Sequence, residues 1–347
     1  MRILAAEPYA APSHRFFLEG LAKYSKHELQ LELLPARTWK WRMRTASFHF
    51  AKLLENEGPW DLIFASDYLN LAETIALLPP KLRGIPAVVY FHENQLTYPL
   101  QPSEERDVHH ALTHIHAIGT ARKALFNSHY HRDAFVEAVD ELLAKAPDID
   151  LSWAVRFTKE RSSVLPLGTD IPRGEPAQSS EAPVILWPHR WEYDKNPAAF
   201  LAALVELEKQ GVPFRLQLAG QRFRNRPKEL DEIEARFRDR IEPGGYLDRA
   251  DYLEAVRNSH LVISTAQHEF FGLGTLEAIR SGCFPVLPRS LAYPELLPSK
   301  LRDVDPFLYP ADELPTDCLA RAIECVRSGD QRGRSRVGAG AQRNCAP

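Results

Sequence analysis

The chain has few cysteines, no long apolar run and no strong excess of charge of either sign. Each absence excludes something. No segment approaches the roughly 18 consecutive apolar residues that a membrane-spanning helix needs, so no membrane segment is expected. Four cysteines, Cys283, Cys318, Cys325 and Cys345, lie far apart with no Cys-x-x-Cys pair. That pattern fits neither a disulfide framework nor a structural zinc site, and it points to a reducing compartment. The formal net charge is −3, so no global basic field draws the protein to nucleic acid, although a local patch is still allowed. The opening residues, Met1-Arg2-Ile3-Leu4-Ala5-Ala6-Glu7, enter a strand-like run with no apolar leader or cleavage site. A cytoplasmic location is the expectation. What remains is 347 residues, 44% apolar and 26% charged, a composition and length that suit a globular protein of two ordinary domains.

Short β-rich runs recur at 3–6, 29–34, 62–65, 87–91, 124–126 and 164–167, and helical patterns at 14–24, 69–78, 108–119 and 130–145 separate most of them. Alternation of this kind predicts parallel strands joined by helical crossovers. Residues 172–183 hold three prolines, a glycine and two serines without periodicity, which is a linker composition. The alternation then restarts with strands at 184–187, 214–219, 261–264 and 284–287 and a helix at 197–207. The fold expected is α/β: two doubly wound Rossmann-like domains facing across a cleft. Domain limits are placed at 1–171 and 184–328, with the linker between them. The Gly/Arg-rich tail 329–347 is expected to be disordered.

Ligands of such sheets bind outside the carboxyl ends of the strands, so residues at those ends carry the chemistry. Glu269 and Glu277 stand eight positions apart around Phe271-Gly272-Leu273-Gly274, between a strand and a helix-forming run at 276–280. Both glycines are expected in the loop, and Glu277 in the first helical turn. Loop amides at a helix N-terminus suit a phosphate, and ionised carboxylates accept hydrogen bonds from ligand hydroxyls. A nucleotide-sugar offers both groups. A solvated acid followed by an N-terminal helix acid accounts for the same pattern. Arg190 and Lys195 lie in the loop after the strand at 184–187, and Asn196-Pro197 predicts a capped helix start. Two cations at that edge suit a diphosphate, Arg as a fork and Lys as a point charge.

Taken together, Arg190, Lys195 and the Glu269–Glu277 element resemble the donor site of glycosyltransferase family 4, retaining two-domain enzymes of the GT-B fold. By that resemblance Arg190 and Lys195 hold the diphosphate, Glu269 binds donor-sugar hydroxyls and Glu277 the ribose. The backbone of Phe271, Gly272 and Leu273 lines the sugar and phosphate, and the segment around Gly245, Tyr246 and Leu247 frames the base. Two longer stretches, Phe91-His92-Glu93-Asn94-Gln95-Leu96-Thr97-Tyr98-Pro99 and His189-Arg190-Trp191-Glu192-Tyr193-Asp194-Lys195-Asn196-Pro197, resemble the tRNA-queuosine α-mannosyltransferase group within that family. The resemblance implies mannosyl transfer from GDP-mannose, a co-substrate rather than a cofactor, to queuosine in a tRNA anticodon. His92, Arg190, Lys195 and Glu269 are then the candidate catalytic residues. Two other functions stay open: a family 4 transferase with a lipid, glycan or small-molecule acceptor, and a catalytically silent nucleotide-sugar or RNA-binding module.

On the acceptor side the candidates are Ser13, His14, Trp41, Arg42, Arg44, Glu93 and Asn94. His92 ends a strand, where an imidazole can meet a sugar hydroxyl or simply pack. Ser13 and His14 open a helix after the first strand, where the family often carries two glycines and this chain has Ala10, Ala11 and Pro12. Arg37, Trp39, Lys40, Trp41, Arg42 and Arg44 interleave cations with indoles, which suits stacked bases and phosphates. An amphipathic helix with inward tryptophans has the same pattern. His110 and His114 are spaced i, i+4, but no carboxylate or cysteine completes a site, so no metal is expected.

Overall fold

The structure is a computed structural model that describes residues 1–100, 105–171, 173–175, 178–223, 226–243 and 247–329. Tyr246, its neighbour Gly245, Arg224 and the tail from 330 onward lie outside the described residues. The chain divides into two compact units, one of Met1–Gly168 and one from Thr169 onward. Gly174 donates its amide to the Arg280 carbonyl at 2.9 Å, and Arg280 Nε donates to the Ile171 carbonyl at 3.1 Å. The start of the interunit segment is therefore bonded to the second unit.

The first unit holds strands β1 (Arg2–Ala10), β2 (Glu28–Pro35), β3 (Leu62–Ser66), β4 (Ala87–Phe91), β5 (Lys123–Phe126) and β6 (Ser162–Val164). Its helices are α1 (Pro12–Tyr24), α2 (Trp39–Glu57), α3 (Leu71–Leu77), α4 (Val108–Thr120), α5 (His129–Leu143) and α6 (Ser152–Arg161). The strands form one sheet in the order β2-β1-β3-β4-β5-β6 with every pairing parallel. Central strands read as continuous apolar runs because helices cover both faces. Leu4, Ile63, Val89, Phe91, Ala124 and Phe126 are wholly buried or nearly so. Chain direction across the sheet reverses between β1 and β3, the switch point at which a doubly wound sheet opens a crevice.

The second unit repeats the plan. Its strands are β7 (Val184–Trp187), β8 (Arg215–Leu218), β9 (Leu261–Ile263), β10 (Phe284–Pro288) and β11 (Leu308–Tyr309). Its helices are α7 (Pro197–Lys209), α8 (Lys228–Arg236), α9 (Arg249–Arg257), α10 (Leu273–Arg280), α11 (Tyr293–Leu296) and α12 (Thr316–Arg327). The parallel order β11-β10-β9-β7-β8 puts the switch point between β7 and β9.

Three local expectations change. The strand expected at 164–167 ends at Val164. Leu165 still donates to the Phe126 carbonyl, but Pro166 has no N–H with which to continue the ladder. α10 begins at Leu273, so Gly274 belongs to its first turn and Glu277 to its second. A Cβ on Gly274 would lie 3.2 Å from the Pro188 carbonyl, so a glycine inside the helix permits close packing on the loop after β7. α2 does not turn both tryptophans inward: Trp39 is half-buried, and Trp41 is 69% exposed.

Candidate functional site

In the second unit the loop after β7 carries Arg190 and Lys195 to the switch point. The loop is shaped by close backbone contact, since a Cβ on Gly220 would fall 1.8 Å from the His189 carbonyl. A 3-10 turn, Tyr193–Lys195, ends at Asn196 in the left-handed region, whose side chain accepts from Ala199 N at 3.3 Å and starts α7 as the Asn-Pro pair predicts. Lys195 is buried, and its ammonium meets Asp194 Oδ2 at 2.9 Å, the His268 carbonyl at 2.8 Å and Glu269 Oε2 at 3.5 Å. Burial opposes its charge, but Glu269 and Asp194 outweigh that and raise its pKa. The same balance acts on Glu269. Burial pushes its carboxyl upward, while Lys195 and the Phe271 amide pull it down to a net value of about 2. Glu269 is therefore an anion throughout the physiological range.

Arg190 lies at the surface beside Glu192, 3.1 Å away. After β9 the chain passes through Glu269 and Phe271 to Gly272, whose φ of 85° is a left-handed conformation open to glycine at little cost. Gly272 is the N-cap of α10, and among the described residues no side chain caps the helix. The first-turn amides of Leu273, Gly274 and Thr275 thus lack a side-chain acceptor at the positive end of the helix dipole, an arrangement that suits a phosphate. Glu277 is buried on the next turn and is gripped at both oxygens by Arg249, at 2.7 and 3.0 Å. Leu247 directly precedes the α9 cap, Asp248, whose side chain accepts from Asp251 N. Arg190, Lys195, Glu269, Phe271, Gly272, Leu273 and Glu277 therefore gather around the ends of β7 and β9. Asp194 and Arg249 join them unforeseen. Asp194 had a signal, as the acid beside Lys195 in the motif. Arg249 had none, since its partner lies 28 positions away.

The first unit brings together a second set. Glu7 lies within β1, three residues before its end, and is fully buried, His14 sits in the first turn of α1, Asp67 follows β3, and His92 and Glu93 follow β4. His14 Nδ1 lies 3.0 Å from Glu7 Oε2, and its ring stacks on His92 with centroids 3.9 Å apart. Burial opposes the His14 charge, yet Glu7, with Asp67 and Glu93 beyond it, lifts its pKa from 6.5 to about 9. His92 goes the other way. Burial and the His14 cation push it well below 6.5, so its ring is neutral. Burial, reinforced by Glu93 and Glu7, raises Asp67 well above the usual carboxylate range, and its carboxyl accepts from His92 N at 3.2 Å. The Tyr68 hydroxyl donates to Glu93 Oε1. Ser13 is exposed beside His14. Asn94 is wholly buried, and its carboxamide closes its own turn by accepting from Leu96 N and Thr97 N, so it shapes the loop.

Trp41 and Arg44 lie on the exposed face of α2, and Arg42 is half-buried. His110 pairs with Asp107 at 3.4 Å, and buried His114 is lowered to about 3, chiefly by desolvation. Among the described residues one trio has metal-like spacing: Glu7, His14 and His92, with ligand atoms within 4.8 Å of one another. A cation there would have to displace the proton that holds His14 to Glu7. Glu7, Asp67 and Tyr68 were not anticipated; for Asp67 and Tyr68 the position directly after β3 is the signal that could have found them.

Comparisons with known proteins identify the family and the fold. Residues 2–169 match the family described as tRNA-queuosine alpha-mannosyltransferase N-terminal, and residues 170–300 match glycosyl transferases group 1. A tRNA-queuosine alpha-mannosyltransferase from Drosophila melanogaster is 34% identical over 310 residues, which cover 86% of this chain and 82% of that protein. Among solved structures, Anabaena HepE in complex with UDP-glucose superposes with a TM-score of 0.67 at 17% identity, covering 99% of this chain and 95% of that one. Sucrose-phosphate synthase from Thermosynechococcus elongatus gives 0.68 at 13% identity, with 99% and 93% covered. These likenesses establish the GT-B fold. With identity above three-tenths over most of both chains, the protein belongs to the tRNA-queuosine alpha-mannosyltransferase family of group 1 glycosyltransferases.

Proposed function

We propose that the protein transfers mannose from GDP-mannose to a hydroxyl of the cyclopentene-diol of queuosine in a tRNA anticodon, with retention at the anomeric carbon. The observation that carries this reading is the Lys195–Glu269 pair beside the α10 N-terminus, which has no side-chain cap. It offers a cation and backbone amides to a diphosphate, and a permanently ionised carboxylate to sugar hydroxyls. Arg190 turns from Glu192 to the diphosphate as the donor binds. As the bond from the anomeric carbon to the phosphate oxygen breaks, negative charge grows on the leaving diphosphate. Lys195, Arg190 and the α10 amides bind that charge more tightly in the transition state than in the ground state, which is what speeds the step. The acceptor oxygen bonds to the anomeric carbon on the face that the diphosphate leaves, and its proton passes to a diphosphate oxygen. Glu277, aligned by Arg249, receives the ribose hydroxyls.

Burial, with the neighbouring His14 cation, keeps His92 neutral, so one ring nitrogen can accept a hydrogen bond from a sugar hydroxyl. Glu93 and Ser13 face the acceptor. The test is incubation with GDP-mannose or UDP-glucose, with and without queuosine-containing tRNA, followed by mass analysis of the anticodon nucleoside. One added hexose only with GDP-mannose and queuosine-containing tRNA is expected. Transfer to tRNA lacking queuosine, or from UDP-glucose alone, would refute the assignment.

A further inference from the structure

The exposed face of α2 is not used by the chemistry above. Between Glu32 and Glu55 the chain carries five cations, Arg37, Lys40, Arg42, Arg44 and Lys52, and no acid, in a protein of net charge −3. Among the described residues no ion pair is formed by Arg37, Lys40, Arg42 or Arg44, whereas Lys52 pairs with Glu55. Lys40, Trp41, Arg44 and Phe48 follow the spacing of a single helical face and are exposed, and Arg37, also exposed, precedes the cap residue Thr38. Trp41 is 69% and Phe48 65% exposed, while the opposite face buries Met43, Ala46, Phe50 and Leu54.

This face is continuous with the reactive set of the first unit. The Trp39 ring packs against His110 at 5.0 Å and edge-on to Tyr68 at 6.2 Å. Tyr68 bonds Glu93, next to His92, and Lys40 Nζ lies over the Trp39 ring at 5.5 Å. Two aromatic side chains, Trp39 and Tyr68, thus link Glu93 to the cations and indole of α2.

We propose that this face of α2, with Arg37 just before it, holds the single-stranded RNA that flanks the reacting nucleoside, with Lys40, Arg44 and Arg37 on phosphates and Trp41 stacked on an unpaired base. The proposal rests on the tRNA reading above and names the surface that reading requires. Phosphates neutralised by basic side chains release counterions, so binding of this kind weakens steeply with salt, while stacking on an indole is insensitive to salt and to base identity. The two kinds of contact are therefore separable.

The experiment measures tRNA binding by fluorescence anisotropy across a salt series for the wild type, the double variant Lys40→Gln/Arg44→Gln and Trp41→Ala. All three substitutions are at exposed positions, and melting curves check the fold. The double variant should lower the slope of log affinity against log salt by roughly 0.7 per residue, about 1.4 in all. Trp41→Ala should weaken binding roughly 5- to 150-fold with the slope unchanged. Equal slopes and affinities in all three proteins would overturn the surface. So would vesicles of phosphatidylcholine with phosphatidylserine binding the wild type through these residues while tRNA binding stays unaltered. Mannosyl transfer by the wild type, measured in parallel, separates the outcomes. Transfer with unaltered variant binding removes the surface alone, whereas no transfer to any queuosine-containing tRNA removes the underlying reading.

Discussion

Replacing Lys195 with methionine tests the donor site most severely, because the side chain has a structural and a chemical duty. Its ammonium is the cation shared by Asp194 and Glu269, and it is almost fully buried. Removing one partner of a buried ion pair leaves the other charge uncompensated, at a cost of about 3–5 kcal/mol. For a unit of this size that corresponds to a fall of roughly 6–20 °C in Tm. The cost depends on pH, with a sign that can be worked out. In the wild type Glu269 is depressed from 4.5 to about 2, so its contribution is present above 4.5 and lost as pH falls toward 2. In the variant only burial remains as a large influence, and it raises the carboxyl, so folding favours the protonated form. The gap in Tm should therefore be widest near pH 7 and close steadily in acid. Turnover should fall further than stability explains. One charge-assisted contact to the leaving diphosphate is worth about 1.5–3 kcal/mol, roughly 10- to 150-fold in kcat/KM. The assays are thermal melts from pH 3 to 7.5 and steady-state transfer at a temperature where the variant is folded. A gap in Tm that does not change with pH, or a folded variant with wild-type kcat/KM, would refute the reasoning.

Three further outcomes are expected. Arg249→Ala should loosen Glu277, raising KM for GDP-mannose more than it lowers kcat, and should shrink severalfold the penalty the wild type shows for a 2′-deoxyribose donor; an unchanged penalty would mean that Glu277 does not read the ribose. Gly220→Ala places a methyl 1.8 Å from the His189 carbonyl, so the loop bearing Arg190 must move. It should cost about 1–3 kcal/mol in denaturant unfolding and weaken GDP binding as measured by calorimetry. His14, raised from 6.5 to about 9, contributes stability that is present below pH 6.5 and lost as pH climbs through 9. His14→Gln should abolish that alkaline slope in pH-dependent melts, and a slope that persists would place its origin elsewhere.

Much of this was legible in the sequence for one reason. A parallel sheet covered on both faces leaves a continuous apolar run for each strand, so the polar residue that ends the run marks the ligand edge. Val184–Trp187 followed by Pro188-His189-Arg190, and Ala87–Phe91 followed by His92-Glu93, are read that way without any knowledge of contacts. The unread residues are those whose meaning depends on a distant partner. Arg249 looks like any first-turn arginine until α9 brings it to Glu277, and Glu7 looks like a surface acid until α1 folds His14 back on it. β11 has two residues, too few to show a period, and α12 follows with no motif to mark it.

These distant pairs share a physical logic. At the switch point of each sheet the protein buries a cation against carboxylates, Glu7 with His14 in one unit and Asp194 and Glu269 with Lys195 in the other. Well-packed apolar residues of similar volume at such places are often as stabilising or more so. Stability is thus not the reason these charges are there. Each pair instead bears on the ionisation of the group that meets a ligand: the His14 cation adds to burial in keeping His92 neutral, and Lys195 outweighs burial to keep Glu269 ionised. A neutral imidazole and a permanent carboxylate are acceptors for sugar hydroxyls while negative charge grows on the departing diphosphate and positive charge on the sugar ring. Apolar replacement of Asp194, Lys195 and Glu269 together should then hold or raise Tm while abolishing transfer, whereas replacement of a merely structural ion cluster would leave transfer intact.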